Sequence, residues 1–269
     1  MTAPESATAS ALLKPLTEIV ATAAAAVRAI SASTAARRTK TDGSFVTEAD
    51  ERSEQIILDG LAALAPAIPV IAEEQMTRAA APRLGGQYFL VDPLDGTREY
   101  VAGREEYAVN VALIRDGKPL IGIVASPARN RLWRGIVGLG AERLVLDDGR
   151  VSGAEAIRTR SWPEGRAIAV VSRSHLDRET EARLAALKPA ERIAMGSALK
   201  FCLVAEGSAD VYPRLGETSE WDVAAGHALI VAAGGAVVGI DGLSLIYGRA
   251  GGDFIVPGFI AWGDPARAP

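Results

Sequence analysis

The hydrophobic period changes twice along this chain, and those changes restrict its fold more than any composition figure does. Leu12, Leu16, Ile19, Ala23, Val27 and Ile30 recur near helical spacing. They predict a helix over Leu12–Ala36, preceded by a frayed arm of about twelve small and polar residues. A polar loop, Arg37–Ser44, leads to a second helix that starts at Thr47. Thr47 can cap it, with Asp50 as the returning acid of a capping box. Ile56, Ile57, Gly60, Leu61 and Leu64 give it a buried stripe, and Pro66 stops it. Short β-branched and apolar runs then take over at Ile68–Ala72, Tyr88–Val91, Ala108–Ile114, Leu120–Ala125, Leu132–Val137 and Arg143–Leu146. Asp116-Gly117 is a hairpin signal between two of them. From Ala167 the rhythm alternates. Strands at Ala167–Val171, Arg192–Met195 and Asp210–Tyr212 interleave with helices at Asp177–Leu187, Ser197–Glu206 and Trp221–Ala233, the last closed by Gly234-Gly235. The pattern predicts an α/β (α+β) protein. Residues 1–150 form an N-terminal α+β lobe and 151–269 a C-terminal α/β lobe, with the seam at Arg150–Gly165.

Composition narrows the function. The 269 residues carry a net charge of −4, which argues against a nucleic-acid polymer as partner. Cys202 is the one cysteine, so no intrachain disulfide forms and a reducing compartment fits. Cys202 stands between Phe201 and Leu203, which predicts a packed core thiol. The apolar stretch Leu16–Ile30 carries Glu18 and Arg28 and falls short of a membrane span, and the N-terminus shows no secretory pattern. The cytoplasm is the expected location. No Walker loop, dinucleotide fingerprint, nucleophile elbow or H-E-x-x-H motif is present, and two histidines cannot build a His-rich metal site.

The acids are the informative residues. Glu73-Glu74 follows one apolar run. Asp92 and Asp95 follow the next, in Asp92-Pro-Leu-Asp-Gly-Thr97. Asp50 and Asp222 stand in first turns of helices. Singly, each has an ordinary structural use: a self-bonded turn, a cap, a solvated loop or a helix-dipole acid. Together, at strand ends and helix starts, they can converge on one rim, where gathered carboxylates repel and need a cation. Hard oxygen donors with no histidine or cysteine beside them select Mg²⁺ over zinc.

At these residues the chain resembles the lithium-sensitive, Mg²⁺-dependent phosphatases: inositol monophosphatases, fructose bisphosphatases and 3′(2′),5′-bisphosphate nucleotidases. The resemblance runs from about Thr39 to Phe259. It rests on Val46-Thr-Glu-Ala-Asp50 with Glu73-Glu74, on Asp92–Thr97, and on Trp221-Asp-Val-Ala-Ala-Gly-His227. Gln75 and the Ala-rich stretch from Met76 to Gly86 depart from it. Within the group, Ser172-Arg-Ser-His175, the stretch from Gly196 to Gly207, and Tyr212-Pro-Arg214 are most similar to bacterial bisphosphate nucleotidases. Arg214 carries that distinction: inositol enzymes usually have an acid there, and a guanidinium suits a second phosphate.

The resemblance implies a layered αβαβα sandwich with two or three Mg²⁺ per site. It implies that Glu73, Asp92, the Leu94 carbonyl, Asp95 and Asp222 bind metal, and that Asp50, Thr97 and Glu73 act in catalysis. Gly96, Thr97, His175, Ser197, Lys200, Arg214 and Asp222 would contact substrate. The implied reaction is hydrolysis of the 3′-phosphate of 3′-phosphoadenosine 5′-phosphate, in sulfur assimilation, by a monomer or homodimer. A dual activity on the 5′-phosphosulfate, an inositol or sugar-phosphate phosphatase, and a catalytically silent Mg²⁺ or nucleotide sensor are the other readings.

Overall fold

The structure is a computed structural model that describes residues 3–30, 37–39, 45–76, 86–248 and 253–269. The expected helical residues 31–36, loop residues 40–44 and the Ala-rich stretch 77–85 lie outside the described residues.

Helix α1 (Ala3–Ala29) starts well before Leu12, so the arm expected at the N-terminus is helical from Ala3 on. Its buried stripe begins at Ala9 and continues through Leu16, Val20, Ala23, Ala24 and Val27, which extends the packed face backwards. Ser6–Ala29 is also long and apolar enough to cross a membrane by length and composition, which the shorter window Leu16–Ile30 concealed. Here its stripe packs into the core. Part of the expected polar loop is a strand: β1 (Arg37–Thr39) pairs antiparallel with β2 (Phe45–Thr47). Helix α2 (Glu48–Leu64) begins with the capping box of Thr47 and Asp50.

Strand β3 (Val70–Ala72) runs directly into a short helix, α3 (Glu73–Met76). Next come β4 (Gln87–Asp95), α4 (Thr97–Val101), β5 (Ala108–Arg115), β6 (Lys118–Ser126), β7 (Arg131–Ile136), β8 (Gly140–Asp147) and β9 (Arg150–Ile157). These seven strands form one sheet in sequence order, antiparallel except for the parallel β3–β4 pair. Asp116 and Gly117 both have positive φ, 50° and 72°, as a two-residue hairpin between β5 and β6 requires.

The C-terminal half contains β10 (Ile168–Ser172), α5 (Arg178–Leu187), β11 (Glu191–Met195), α6 (Leu199–Ala205), β12 (Val211–Arg214), β13 (Thr218–Ser219), α7 (Glu220–Ala232), β14 (Ala236–Gly239), β15 (Ile255–Val256) and β16 (Phe259–Trp262). Its main sheet has the order β11-β10-β12-β16-β14. Strands β10, β11 and β12 are parallel, as the βαβ rhythm predicts, but β16 runs antiparallel to both β12 and β14.

The layers follow from which faces are apolar. Alternate residues of β4 and β5 face opposite ways. Phe89, Val91, Val111 and Leu113 pack with α1 and α2, whereas Tyr88, Leu90, Ala112 and Ile114 pack with α6 and α7. Both faces are covered, so these strands read as continuous apolar runs. Beyond the second sheet, Leu184 of α5 packs on Ala169, Val171 and Val211. The result is α1/α2, seven-stranded sheet, α6/α7, five-stranded sheet, α5. Helix α7 is buried nearly all round, as a helix between two sheets must be. It lies so close to the large sheet that a Cβ on Gly122 would sit 2.2 Å from the Ala225 carbonyl oxygen. That close seat sets the first turn of α7, and Asp222 with it, beside the end of β4.

Candidate active site

Strand β4 was expected to end at Val91. It continues through Asp95, with a register break between Asp92, opposite Asn110, and Asp95, opposite Ala108. Pro93 has no N–H to give the ladder, so the irregularity falls there. Gly96 then turns the chain at φ 90° into α4. Asp92 Oδ1 accepts the Leu94 N–H at 3.0 Å. Asp95 Oδ2 accepts from Asn110 Nδ2 at 3.2 Å and from the Ala198 N–H at 2.5 Å. The last bond crosses from the large sheet to the turn before α6.

One pocket of about 230 Å³ collects residues from both halves. Glu73, Asp92, Leu94, Asp95 and Asp222 form one wall. Glu73 reaches it from the first turn of α3, while Glu74 is buried elsewhere and takes the Glu54 carboxylate on its N–H. Asp222 accepts from the Thr218 hydroxyl and lies within hydrogen-bonding reach of Asp92.

The electrostatics of this wall are unfavourable for bare carboxylates. Burial raises Asp92 well above the usual range, and Glu73, Asp95 and Asp222 add repulsion. Burial and Asp222 push Asp95 up to about 6, even with Lys200 nearby. Asp222 is raised by burial and by Glu73. Among the described residues, no three of these groups close around one point as a ready-made cage. Their donor chemistry nevertheless suits a hard divalent cation: every donor on the wall is a carboxylate or a carbonyl oxygen, and the shared repulsion is what a 2+ ion relieves.

Asp50 stands behind this wall. Its Oδ2 accepts from the N–H and hydroxyl of Thr47, at 2.8 and 2.6 Å. Thr97 Oγ1 shares its one proton between Asp50 Oδ1, at 3.2 Å, and the Leu94 carbonyl, at 3.0 Å. Burial, reinforced by Glu73, pushes Asp50 up to about 6 against the Thr47 bonds.

The opposite wall is cationic. Lys200, on α6, is buried, donates to the Ser197 carbonyl at 2.5 Å and stands over the Tyr212 ring. Its burial lowers the ammonium to about 8. Arg214 donates Nη2 to the Glu217 carbonyl at 3.0 Å, while its buried Nε has no hydrogen-bond partner among the described residues. His175 lines the same pocket and is lowered by burial and by Arg214 and Arg98, so its imidazole is neutral near pH 7. Ser197 completes this side in a left-handed conformation, φ 52°.

The structure therefore brings Glu73, Asp92, Leu94, Asp95, Gly96, Thr97, His175, Ser197, Lys200, Arg214 and Asp222 to one pocket, with Asp50 bonded to it through Thr97. It adds Arg98, Glu99 and Ser174, which sequence reasoning missed. Arg98 is exposed, and its guanidinium has no hydrogen-bond partner among the described residues. Its place directly after Thr97 was the available signal. Glu99 is buried and accepts the Ser174 hydroxyl at 2.5 Å, a pairing no spacing announces.

Residues 4–258 match the inositol monophosphatase family, and the chain belongs to that family. Among its relatives, the 3′(2′),5′-bisphosphate nucleotidase CysQ of Shigella flexneri is 41% identical over 226 residues, covering 82% of this chain and 86% of the relative. CysQ of Escherichia coli K12 is 40% identical over 220 residues, with the same coverage. The crystal structure of CysQ from Bacteroides thetaiotaomicron superposes with a TM-score of 0.75 at 32% identity, covering 93% of this chain and 96% of that one. The inositol monophosphatase of Anabaena superposes with a TM-score of 0.72 at 25% identity, over 96% and 92% of the two chains.

Proposed function

We propose that this chain is a Mg²⁺-dependent phosphomonoesterase that removes the 3′-phosphate of 3′-phosphoadenosine 5′-phosphate, with the 5′-phosphosulfate as a second substrate. The observation that carries the reading is the pairing of walls in one pocket. Carboxylates suited to Mg²⁺ face Lys200, Arg214 and Arg98, which are not needed by a metal. A bisphosphate has one phosphate for each wall. The likeness to bisphosphate nucleotidases supports the same choice.

In this reading Glu73, Asp92, the Leu94 carbonyl, Asp95 and Asp222 hold the metal. Four carboxylates and a phosphate dianion balance two to three divalent ions. Bound Mg²⁺ would acidify the attacking water and neutralise charge on the leaving oxygen. The chain's own residues supply the proton path. Ionised Asp50 accepts the Thr97 hydroxyl proton, which frees the Thr97 oxygen to take a proton from water. At about 6, Asp50 is ionised at neutral pH yet basic enough to draw that proton forward. Glu73 adds negative charge beside Asp50, which makes it a stronger base.

On the other wall, Arg214 and Lys200 hold the phosphate that is not cleaved. The unpartnered Arg214 Nε is a donor in want of an acceptor, and a phosphate oxygen satisfies it. Ser197 and neutral His175 contact the nucleoside, and Gly96 and Thr97 the reacting phosphate. The test is phosphate release from 3′-phosphoadenosine 5′-phosphate and from inositol 1-phosphate, side by side, with Mg²⁺ and with chelator. Metal-dependent release that favours the bisphosphate is expected. Equal rates on both esters would refute the nucleotide reading.

A further inference from the structure

Glu106 lies between α4 and β5 and does not line the pocket, yet it bonds to both loops that carry the substrate wall. Its Oε1 accepts Arg173 Nη2 at 2.7 Å. Its Oε2 accepts Arg173 Nε at 2.7 Å and the Gly196 N–H at 2.9 Å. Arg173 continues the chain of bonds by donating Nη2 to the Ala194 carbonyl at 2.8 Å. The Glu106 backbone is wedged in the same place. A Cβ on Gly196 would lie 2.7 Å from its carbonyl oxygen, and one on Gly96 would lie 2.9 Å from it. One residue thus touches the turn after Asp95 and the turn before Ser197. Through Arg173 it also holds the loop of Ser174 and His175.

We propose that Glu106 and Arg173 are positioning residues, a clamp across the two sheets that sets the substrate wall at its working distance from the carboxylate wall. The placement rests on the pocket being the phosphate-ester site argued above. Two features separate this from an ordinary exposed ion pair, which contributes little to stability. The Glu106 side chain is only 13% exposed, although Arg173 itself is exposed. In addition, the carboxylate accepts a backbone N–H next to Ser197, which no exposed ion pair needs. Arg173 itself holds the Glu106 carboxyl below its usual range, so all its acceptor sites remain open at neutral pH.

The test compares Glu106→Gln, Arg173→Lys and the exchanged pair Glu106→Arg/Arg173→Glu. The kinetic arm uses whichever phosphate monoester the parent protein hydrolyses best, and the second arm is hydrogen exchange on the metal-free protein. Glu106→Gln is expected to raise KM about tenfold with kcat held within about threefold, the size of losing a charge-assisted hydrogen bond in positioning alone. The amides of 173–175 and 196–198 should exchange faster. Arg173→Lys keeps the Glu106–Gly196 bond, so its KM should rise less. The exchanged pair restores opposite charges but gives Gly196 no acceptor, so its KM should stay high. Restoration of KM by the exchanged pair, or exchange at 196–198 unchanged in Glu106→Gln, would overturn the clamp. A parent that prefers inositol 1-phosphate would overturn the nucleotide reading instead and leave the clamp to be judged by the same two arms.

Discussion

Replacing Asp95 by Asn tests the charge balance of the acidic wall without changing side-chain shape. Asp95 is half-buried, and its carboxyl is pushed from 3.8 up to about 6 by burial and by Asp222. A rise of about two units at ~1.4 kcal/mol each makes its ionised form cost up to about 3 kcal/mol in the metal-free fold. The attraction of Lys200 is already contained in that net value. The sign is opposite to that of an ordinary salt-bridged aspartate. Because the folded value is raised, the penalty is fully present above pH 6 and disappears as pH falls below the unfolded value of 3.8. The Asn oxygen can still accept from Ala198 and Asn110, so the substitution removes charge and keeps bonds. With chelator at pH 7.5, Asp95→Asn should melt higher than the parent by up to roughly 6–12 °C, at about 2–4 °C per kcal/mol for a chain of this size. The advantage should vanish as the pH is lowered from 6 to 4. Added Mg²⁺ should narrow that gap, because saturation at about 100 times Kd stabilises the parent by ~2.7 kcal/mol and the variant by less. Paired thermal melts across pH, with chelator and with Mg²⁺, measure all of this. A variant less stable than the parent in chelator, or equal stabilisation of both by Mg²⁺, would refute the argument.

Thr97→Val removes the hydroxyl that bonds Asp50 and the Leu94 carbonyl. It should lower kcat by about 10²–10⁴ while Mg²⁺-induced stabilisation is retained, as melts and steady-state rates will show. Arg214→Glu reverses the field on the cationic wall and should cost on the order of 2–5 kcal/mol of bisphosphate binding, seen in KM. A monophosphate lacking the second group should lose much less. Gly122→Ala drives a Cβ into the Ala225 carbonyl oxygen of α7, at 2.2 Å. It should cost about 1–3 kcal/mol or more, measured by urea unfolding, since a backbone atom cannot swing aside.

The features that were legible in the sequence are those whose geometry is set within a few residues. The Thr47–Asp50 capping box, the Asp116-Gly117 hairpin and the pair of acids around Pro93 each depend on local dihedrals and reach. The α-helical period of α2 and the β-branched runs likewise announced their elements, and the three acidic motifs marked the carboxylates of one wall. Other features were decided at long range. Asp222 stands beside Asp92 because α7 is pinned between two sheets by glycine contacts, and no spacing of acids encodes that. The antiparallel β16 was not apparent because strand direction follows from packing order rather than from residue type. Nothing in the local sequence marks Glu106, since the atoms that give it a use belong to Arg173 and Gly196, far along the chain. Local sequence supplies propensities and side-chain chemistry. The distances between the two walls come from burial of apolar faces on both sides of each sheet, a property of the whole fold.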